Sequence, residues 1–263
     1  AYYDRSDTLP REGWIRRGVE YIVVLDERGE CTNIERIGEI KKGKSIPTEM
    51  LVPAIGKQAL KHTNSGKDAN LLWDNASFVF GSGNKGPQKL TSSIETLHEW
   101  LGNIDEAGIC SVLCFCRRAL ATPGYIDLTL ERFGIQDDFR ERDPILVLRL
   151  DGDIECIHTR SQIRSAIEKK LAESKSRAKL RGTCLVTGVV DTPIALNETV
   201  IKNVWGAQPA GANILAFNER AFESYGKRKR GGENAPISEK ASFAYTTALN
   251  HLLTTPRQRI QVG

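Results

Sequence analysis

The apolar residues of this chain follow two periods, and each period predicts its own kind of element. From Arg17 to Leu25 and from Cys31 to Ile37 the residues are rich in strand formers. Asp26-Glu27-Arg28-Gly29 joins the two runs with turn chemistry, which predicts a hairpin. Met50-Leu51-Val52-Pro53 reads as short and extended, because a residue before proline is pushed out of the helical region. Phe78-Val79-Phe80 has the same strand-like look. Ile145 to Leu150 and Ile154 to Ile157 flank Asp151-Gly152-Asp153, which predicts a second tight hairpin. Leu185 to Val190 and Asn213 to Phe217 predict two further strands.

The other period is helical. Ser92 and Glu95 are spaced as a capping box ahead of Ile94, Leu97 and Leu101, so a helix is expected to start there. A largely apolar helix is expected from Asp105 to Ala121, ended by Thr122-Pro123-Gly124. Thr159 and Gln162 cap a third, with Ile163, Ile167 and Leu171 on one stripe. Ser238 opens a last helix carrying Ala241, Tyr245, Ala248, Leu249 and Leu252, closed by Pro256. Hairpins mixed with segregated helices predict an α+β fold, with antiparallel hairpins and sheet packed against helices. At 263 residues the chain has room for one large or two small domains, with a sub-boundary expected near 180. No internal repeat and no low-complexity tract interrupts it.

Composition narrows the class without naming a function. Residues that are 40% hydrophobic and 27% charged exclude a collagen-like or wholly disordered chain. No apolar run approaches the length of a membrane span, so no membrane partner is expected. The first residues lack the apolar core of a signal peptide, and six cysteines in so long a chain point to a reducing, cytoplasmic setting. The chain begins without Met and stops at Gln261-Val262-Gly263 like a strand cut short, which suggests a fragment.

The net charge of +4 is small, but the positive residues are clustered. Lys227-Arg228-Lys229-Arg230 is an unbroken basic run between glycines. Lys169, Lys170, Lys175, Arg177, Lys179 and Arg181 face only Glu173, and Lys41, Lys42 and Lys44 form a third group. Such loops can lie along a polyanion, since each cation on a phosphate releases counterions; a solvated surface is the plainer reading of any one of them.

Candidate chemistry is mostly excluded. Cys110 and Cys114 share a helix face, yet zinc wants four ligands and no second Cys/His pair stands nearby. Cys184-Leu185-Val186-Thr187-Gly188 resembles half a zinc knuckle without its partner; free cysteines here read as small buried hydrophobes. Gly81-Ser82-Gly83-Asn84-Lys85-Gly86 matches a dinucleotide-binding string. That motif requires a helix to open at its third glycine, whereas the helix signal here waits until Ser92. Asp151, Asp153 and Glu168 do not converge as a two-metal site would, and the four histidines are scattered. Neither a nucleophile elbow nor a phosphate loop is present, so no catalytic residue, metal or cofactor is expected. The last third stands out instead: Gly206-Ala207-Gln208-Pro209-Ala210-Gly211-Ala212-Asn213 is polar and small, as are Phe222 to Gly226 and Gly232 to Lys240. Amide and glycine loops suit phosphates and base edges, although such side chains also tie loops to their own backbone.

At these residues the chain closely resembles a known family. Gly206-Ala207-Gln208, Ala221-Phe222-Glu223-Ser224-Tyr225-Gly226, Asn234-Ala235-Pro236-Ile237-Ser238-Glu239-Lys240 and Phe243-Ala244-Tyr245-Thr246-Thr247-Ala248-Leu249-Asn250 resemble the large subunit of the type I-C CRISPR Cascade complex. Tyr2-Tyr3, Met50-Leu51-Val52-Pro53, Leu72-Trp73-Asp74-Asn75, Leu148 to Asp153 and Cys184 to Gly188 agree. The resemblance implies that residues 1–263 are the N-terminal, motif-recognising region, without the family's C-terminal helical bundle. It implies a non-catalytic subunit of crRNA-guided antiviral defence that recognises the protospacer-adjacent motif in duplex DNA. Such a subunit nucleates unwinding and helps recruit a helicase–nuclease, while guide pairing reads most of the sequence. The implied partners are double-stranded DNA, crRNA, other Cascade subunits and the helicase–nuclease. By position, the loop Asn64-Ser65-Gly66-Lys67 answers to the groove-reading loop, with Asn64 or Asn70 as amide reader and Lys67 on phosphate. Gln208 answers to a wedge or base-edge contact, and Lys227, Arg228, Lys229 and Arg230 to phosphate tracking. The alternative is a scaffold that docks crRNA and neighbouring subunits without reading the motif.

Overall fold

The computed structural model describes residues 2–6, 9–41, 44–55, 69–83, 85–176, 180–195, 199–208, 211–215 and 234–254. The chain divides into two compact units, one formed by residues 13–171 and the other by residues 1–12 with 172–263. A short helix, α1 (Tyr2–Arg5), opens the chain within the second unit.

The larger unit is built on a four-stranded sheet. Its strands are β2 (Tyr21–Leu25), β3 (Cys31–Arg36), β7 (Trp73–Asn75) and β8 (Ile145–Leu150), in the order β3-β2-β8-β7. The hairpin expected around Asp26 is present, with β2 antiparallel to β3. The Asp26 carboxylate accepts from the backbone N–H of Arg28 (2.9 Å) and Glu30 (2.7 Å), which fixes the turn. On its other side β2 runs parallel to β8, Tyr21 opposite Leu146 and Leu25 opposite Leu150. A strand with neighbours on both edges and cover on both faces must be apolar throughout, and all five β2 residues are buried.

Period-two alternation divides the two faces. Tyr21, Val23, Leu25, Leu146 and Leu148 face a core completed by Leu90, Leu97, Leu101, Ile109, Val112 and Phe115. Those partners stand on α3 (Gly86–Leu101) and α4 (Ala107–Ala121). Ile22, Val24 and Val147 face the opposite way, against Val19, Val52 and Trp73. That second face is roofed by the two-stranded ribbon of β1 (Trp14–Val19) and β6 (Thr48–Pro53). Between these run the small hairpin β4 (Glu39–Lys41) and β5 (Lys44–Ile46), and α2 (Ala76–Val79) follows β7. Helices α5 (Tyr125–Arg132) and α6 (Gln136–Arg142) lead into β8, and α7 (Ser161–Ser176) leaves after it.

The expected α+β fold is present, with several local corrections. The run from Arg17 to Leu25 is two strands, not one. The break is at Glu20, whose N–H donates to Ile145 O (2.9 Å) and whose carbonyl accepts from Ile37 and Gly38. There the chain passes from the β1–β6 ribbon into the central sheet. Phe78 and Val79 are helical rather than extended, because Asp143 accepts from the Ser77 N–H (2.7 Å) and hydroxyl (2.9 Å) and starts a turn of helix. Helix α3 begins at Gly86 with Pro87 in its first turn, where a missing N–H costs nothing. Ser92 therefore lies inside the helix, and its buried hydroxyl accepts from the Ala69 N–H (2.9 Å) instead of capping. A helix does open at the third glycine of Gly81 to Gly86, contrary to expectation; what departs from the dinucleotide motif is the helix, not a strand, that precedes it.

The second expected hairpin does not form. Asp151-Gly152-Asp153 is a tight turn, with Gly152 at φ +82°, but the return is a single bridge between Arg149 and Cys156, followed by a 3₁₀ turn over Ile157–Thr159. The edge of β8 along Ile145–Val147 is already taken by β7, so a returning strand has little left to pair with.

The smaller unit holds a two-residue hairpin of β9 (Arg181–Gly182) and β10 (Thr192–Pro193), and the helix α8 (Glu239–Thr254). Leu185 to Val190, expected as a strand, is the turn at the tip of that hairpin, with Cys184 N–H donating to Val189 O (2.9 Å) and Gly188 N–H to Cys184 O (2.8 Å). The described part of the other expected strand, Asn213 to Leu215, forms no strand either; only Ala212, just before it, makes a bridge, to Ile201. The last helix starts as expected: the Ser238 hydroxyl accepts from the Ala241 N–H (3.2 Å) at its N-cap. Helix α1 lies along α8, with the Tyr3 ring edge-on to Phe243.

Candidate nucleic-acid interface

Asn64, Ser65, Gly66 and Lys67 lie outside the described residues, as do Lys227, Arg228, Lys229 and Arg230. The described residues on either side of 56–68 are tied into the larger unit. Leu71 N–H donates to Ile55 O (3.4 Å), Thr96 Oγ1 donates to Ala69 O (3.3 Å), and Trp73 Nε1 donates to Pro53 O (2.8 Å).

Asn70 belongs to this anchorage. It is only 7% exposed, and its N–H donates to Asp74 Oδ2 (2.8 Å). In this position it meets protein rather than solvent, which runs against its expected role as an amide reader. Asp74 is equally enclosed. Burial pushes its carboxyl up to about 7, against the pull of the Asn70 and Asn75 N–H donors. His158, behind β6, is its counterpart: burial pushes the imidazole down to about 4, and its Nε2 meets Leu51 O at 3.1 Å. Both groups serve to hold the frame.

Gln208 is placed differently. It is exposed, on the loop that connects Ile201 to Ala212 in the smaller unit. Ile201 N–H donates to Ala212 O (2.7 Å) and Ala212 N–H returns to Ile201 O (2.9 Å), which closes the neck. Asn250, on α8, clamps one side from below: Nδ2 donates to Val200 O (3.1 Å) and Oδ1 accepts from Lys202 N–H (2.8 Å). Within the loop, Ala207 N–H donates to Val204 O (3.2 Å) and Gly211 N–H to Gln208 O (2.9 Å). Asn203 and Gly206 adopt left-handed φ of +59° and +78°, the region that asparagine and glycine tolerate best. The loop is shaped by these bonds, and Lys202, Asn203 and Gln208 all stand exposed along it.

Trp205 sits on the same loop and is 100% exposed. Trp14 and Trp73 are buried at 2% and 3%, so full exposure of an indole is exceptional in this molecule. Sequence reasoning passed over Trp205. The available signal was a lone aromatic between Val204 and Gly206, in a stretch without the apolar period that would give it a face to bury.

The hairpin tip carries a second exposed group. Leu185, Val186, Val189 and Val190 are 55–72% exposed. Beneath them Cys184 is buried, and Ser238 N–H donates to its Sγ (3.2 Å). Burial alone would raise this thiol, but hydrogen bonds from Ser238 and Thr187 prevail and bring it down to about 6. Among the described residues no group of three or more His, Cys, Asp or Glu could hold a metal ion.

Part of the clustered positive charge is engaged within the protein. Lys170 lies over the Trp100 ring (5.6 Å), Arg181 pairs with Asp191 (2.9 Å), and Lys41 pairs with Glu39 (2.6 Å). Among the described residues, no helix is long and apolar enough to cross a membrane.

No curated protein matches the chain. The family described as CRISPR-associated protein (Cas_Csd1) matches it over residues 1–263, end to end. By that match over all of its residues, the chain belongs to the Cas_Csd1 family of CRISPR-associated proteins.

Proposed function

We propose that this chain is a non-catalytic subunit of a crRNA-guided effector complex of type I-C, working in the cytoplasm, that reads a short motif beside the target in duplex DNA. The observation that carries the reading is the loop of Ile201 to Ala212, which holds the Gln208 amide in solvent on a bonded neck. An amide donates and accepts at once, as a base edge requires, and a pre-shaped loop loses little freedom on binding. Reading only a few base pairs is sufficient when guide pairing reads the remainder. In this proposal Asn64 with Ser65, Gly66 and Lys67 form a second reading loop, Lys227 to Arg230 track phosphate, and the bound subunit nucleates unwinding and helps recruit the helicase–nuclease.

Motif and non-motif duplexes test this in the assembled complex. Gln208→Ala should cost about 1–3 kcal/mol on the motif duplex and relax the preference. Removing the charges of Arg228 and Lys229 should weaken all duplexes alike and flatten the salt dependence. Equal losses on both duplexes for Gln208→Ala refute base reading by this residue.

One observation favours a second reading, a scaffold that docks neighbouring subunits. The four exposed aliphatic residues on the β9–β10 tip are held in place by the Cys184 and Ser238 contacts, and exposed apolar groups of this kind mark protein contacts. Unchanged duplex affinity together with loss of complex assembly in Val186→Asp would support it.

A further inference from the structure

We propose that Trp205 is a stacking platform for an unpaired nucleobase, so that the loop of Ile201 to Ala212 binds single-stranded nucleic acid as well as duplex. This rests on the nucleic-acid reading above and adds a ligand to it.

An indole left wholly in water is unfavourable, since burying an aromatic side chain removes roughly 150–250 Å² from solvent. Trp205 is nevertheless fully exposed, on a loop held by six backbone and side-chain hydrogen bonds and shaped by left-handed Asn203 and Gly206. Gly211 adds a packing reason for that shape: at φ +107°, a Cβ there would come within 2.9 Å of Val200 Cβ, so the neck closes tightly only around glycine. Nothing lies within 4 Å of a Cβ built at Gly206, so the backbone next to Trp205 borders open space.

The neighbours of Trp205 select the ligand. Lys202, Asn203 and Gln208 are exposed on the same loop, and among its described residues Val204 is the exposed large aliphatic one besides the ring itself. A protein pocket would favour an apolar rim around the ring. A π-face on a loop that also carries an ammonium and two amides instead suits a base, its edge and its phosphate, which is how proteins hold single strands. A base within a duplex is already stacked on both faces, so the partner of the indole is a base that has left its stack.

The test uses the intact protein and fluorescently labelled oligothymidylate and oligouridylate of about 20 nucleotides, titrated by anisotropy. Trp205→Ala should weaken binding by about 5- to 100-fold, and Trp205→Phe should recover most of the loss. With 2-aminopurine in the strand, emission should be quenched on binding by the wild type and by Trp205→Phe, but not by Trp205→Ala. Loss confined to one of the two polymers identifies the strand as DNA or RNA; equal loss means the platform accepts either. Single-strand affinity unchanged in Trp205→Ala, or absent in the wild type, overturns the proposal. If motif preference still depends on Gln208 in that case, duplex reading stands and stacking alone is wrong. If Gln208→Ala is also silent on duplexes, the loop is not a nucleic-acid surface at all.

Discussion

Residues 69–75 and residues 200–212 offer the same side-chain chemistry and present it in opposite directions. Each stretch contains amides, small residues and one tryptophan. In the first, Asn70 and Trp73 are buried, and Asp74 takes the local N–H groups. In the second, Gln208 and Trp205 face water, and the backbone bonds are closed by Asn250 and by the loop itself. The difference lies in the neighbours: Asn70 precedes Leu71-Leu72-Trp73, which the core draws in, whereas Gln208 has no apolar run beside it. An amide-rich sequence thus becomes anchorage or interface according to whether hydrophobic residues pull it inside.

The sharpest way to break this comparison is to make the same substitution in both places. Trp73→Ala should cost about 3–5 kcal/mol of stability by urea unfolding, through the cavity and the lost bond to Pro53. Trp205→Ala should change stability by no more than about 0.5 kcal/mol. A comparable loss at both sites would mean that Trp205 is packed in solution. Next in size, Asn250→Ala removes two hydrogen bonds from the neck, and a cost of about 1–2 kcal/mol is expected. It should also weaken motif preference although Asn250 itself lies beneath the loop, and unaltered preference would show that the neck need not be held.

Stability should also depend on pH. The Asp74 carboxyl is held at about 7 in the fold and near 4 when unfolded. Its share of stability is therefore fully present below about pH 4 and is lost as pH rises through 7. His158 acts in the opposite sense, its share present above about pH 6.5 and lost as pH falls towards 4. In Asp74→Asn, stability at pH 8 relative to pH 5 should rise compared with the wild type, as read from paired urea midpoints. An identical pH profile would place a charged, solvated Asp74 in the native state.

How much of this was legible in the sequence follows from which forces are local. Apolar runs such as Tyr21–Leu25 and Ile145–Leu148 announce strands, and Ser238 announces the start of α8, because each signal is carried by neighbouring residues. Where α3 begins was not legible. Ser92 and Glu95 have the spacing of a cap, but Ala69, far away in the chain, takes the Ser92 hydroxyl. The missing return strand after Asp153 has the same cause, since β7 occupies the edge it would need. For the candidate site, the residue types around Gln208 and the resemblance they carry were visible. The exposure of Trp205 and the burial of Asn70 were not, because both are decided by tertiary contacts.

The parallel pairing of β2 with β8 carries a consequence for how the chain acquires its shape. Tyr21 meets Leu146 only after the chain between them has been gathered in, including strands β3 to β7 and helices α2 to α6. Closing so long a loop is entropically slow, and the hairpin of β2 with β3 can form well before it. Until β8 docks, one margin of β2 stays open with its valines uncovered, so a nascent chain is vulnerable to aggregation there throughout synthesis of the intervening residues.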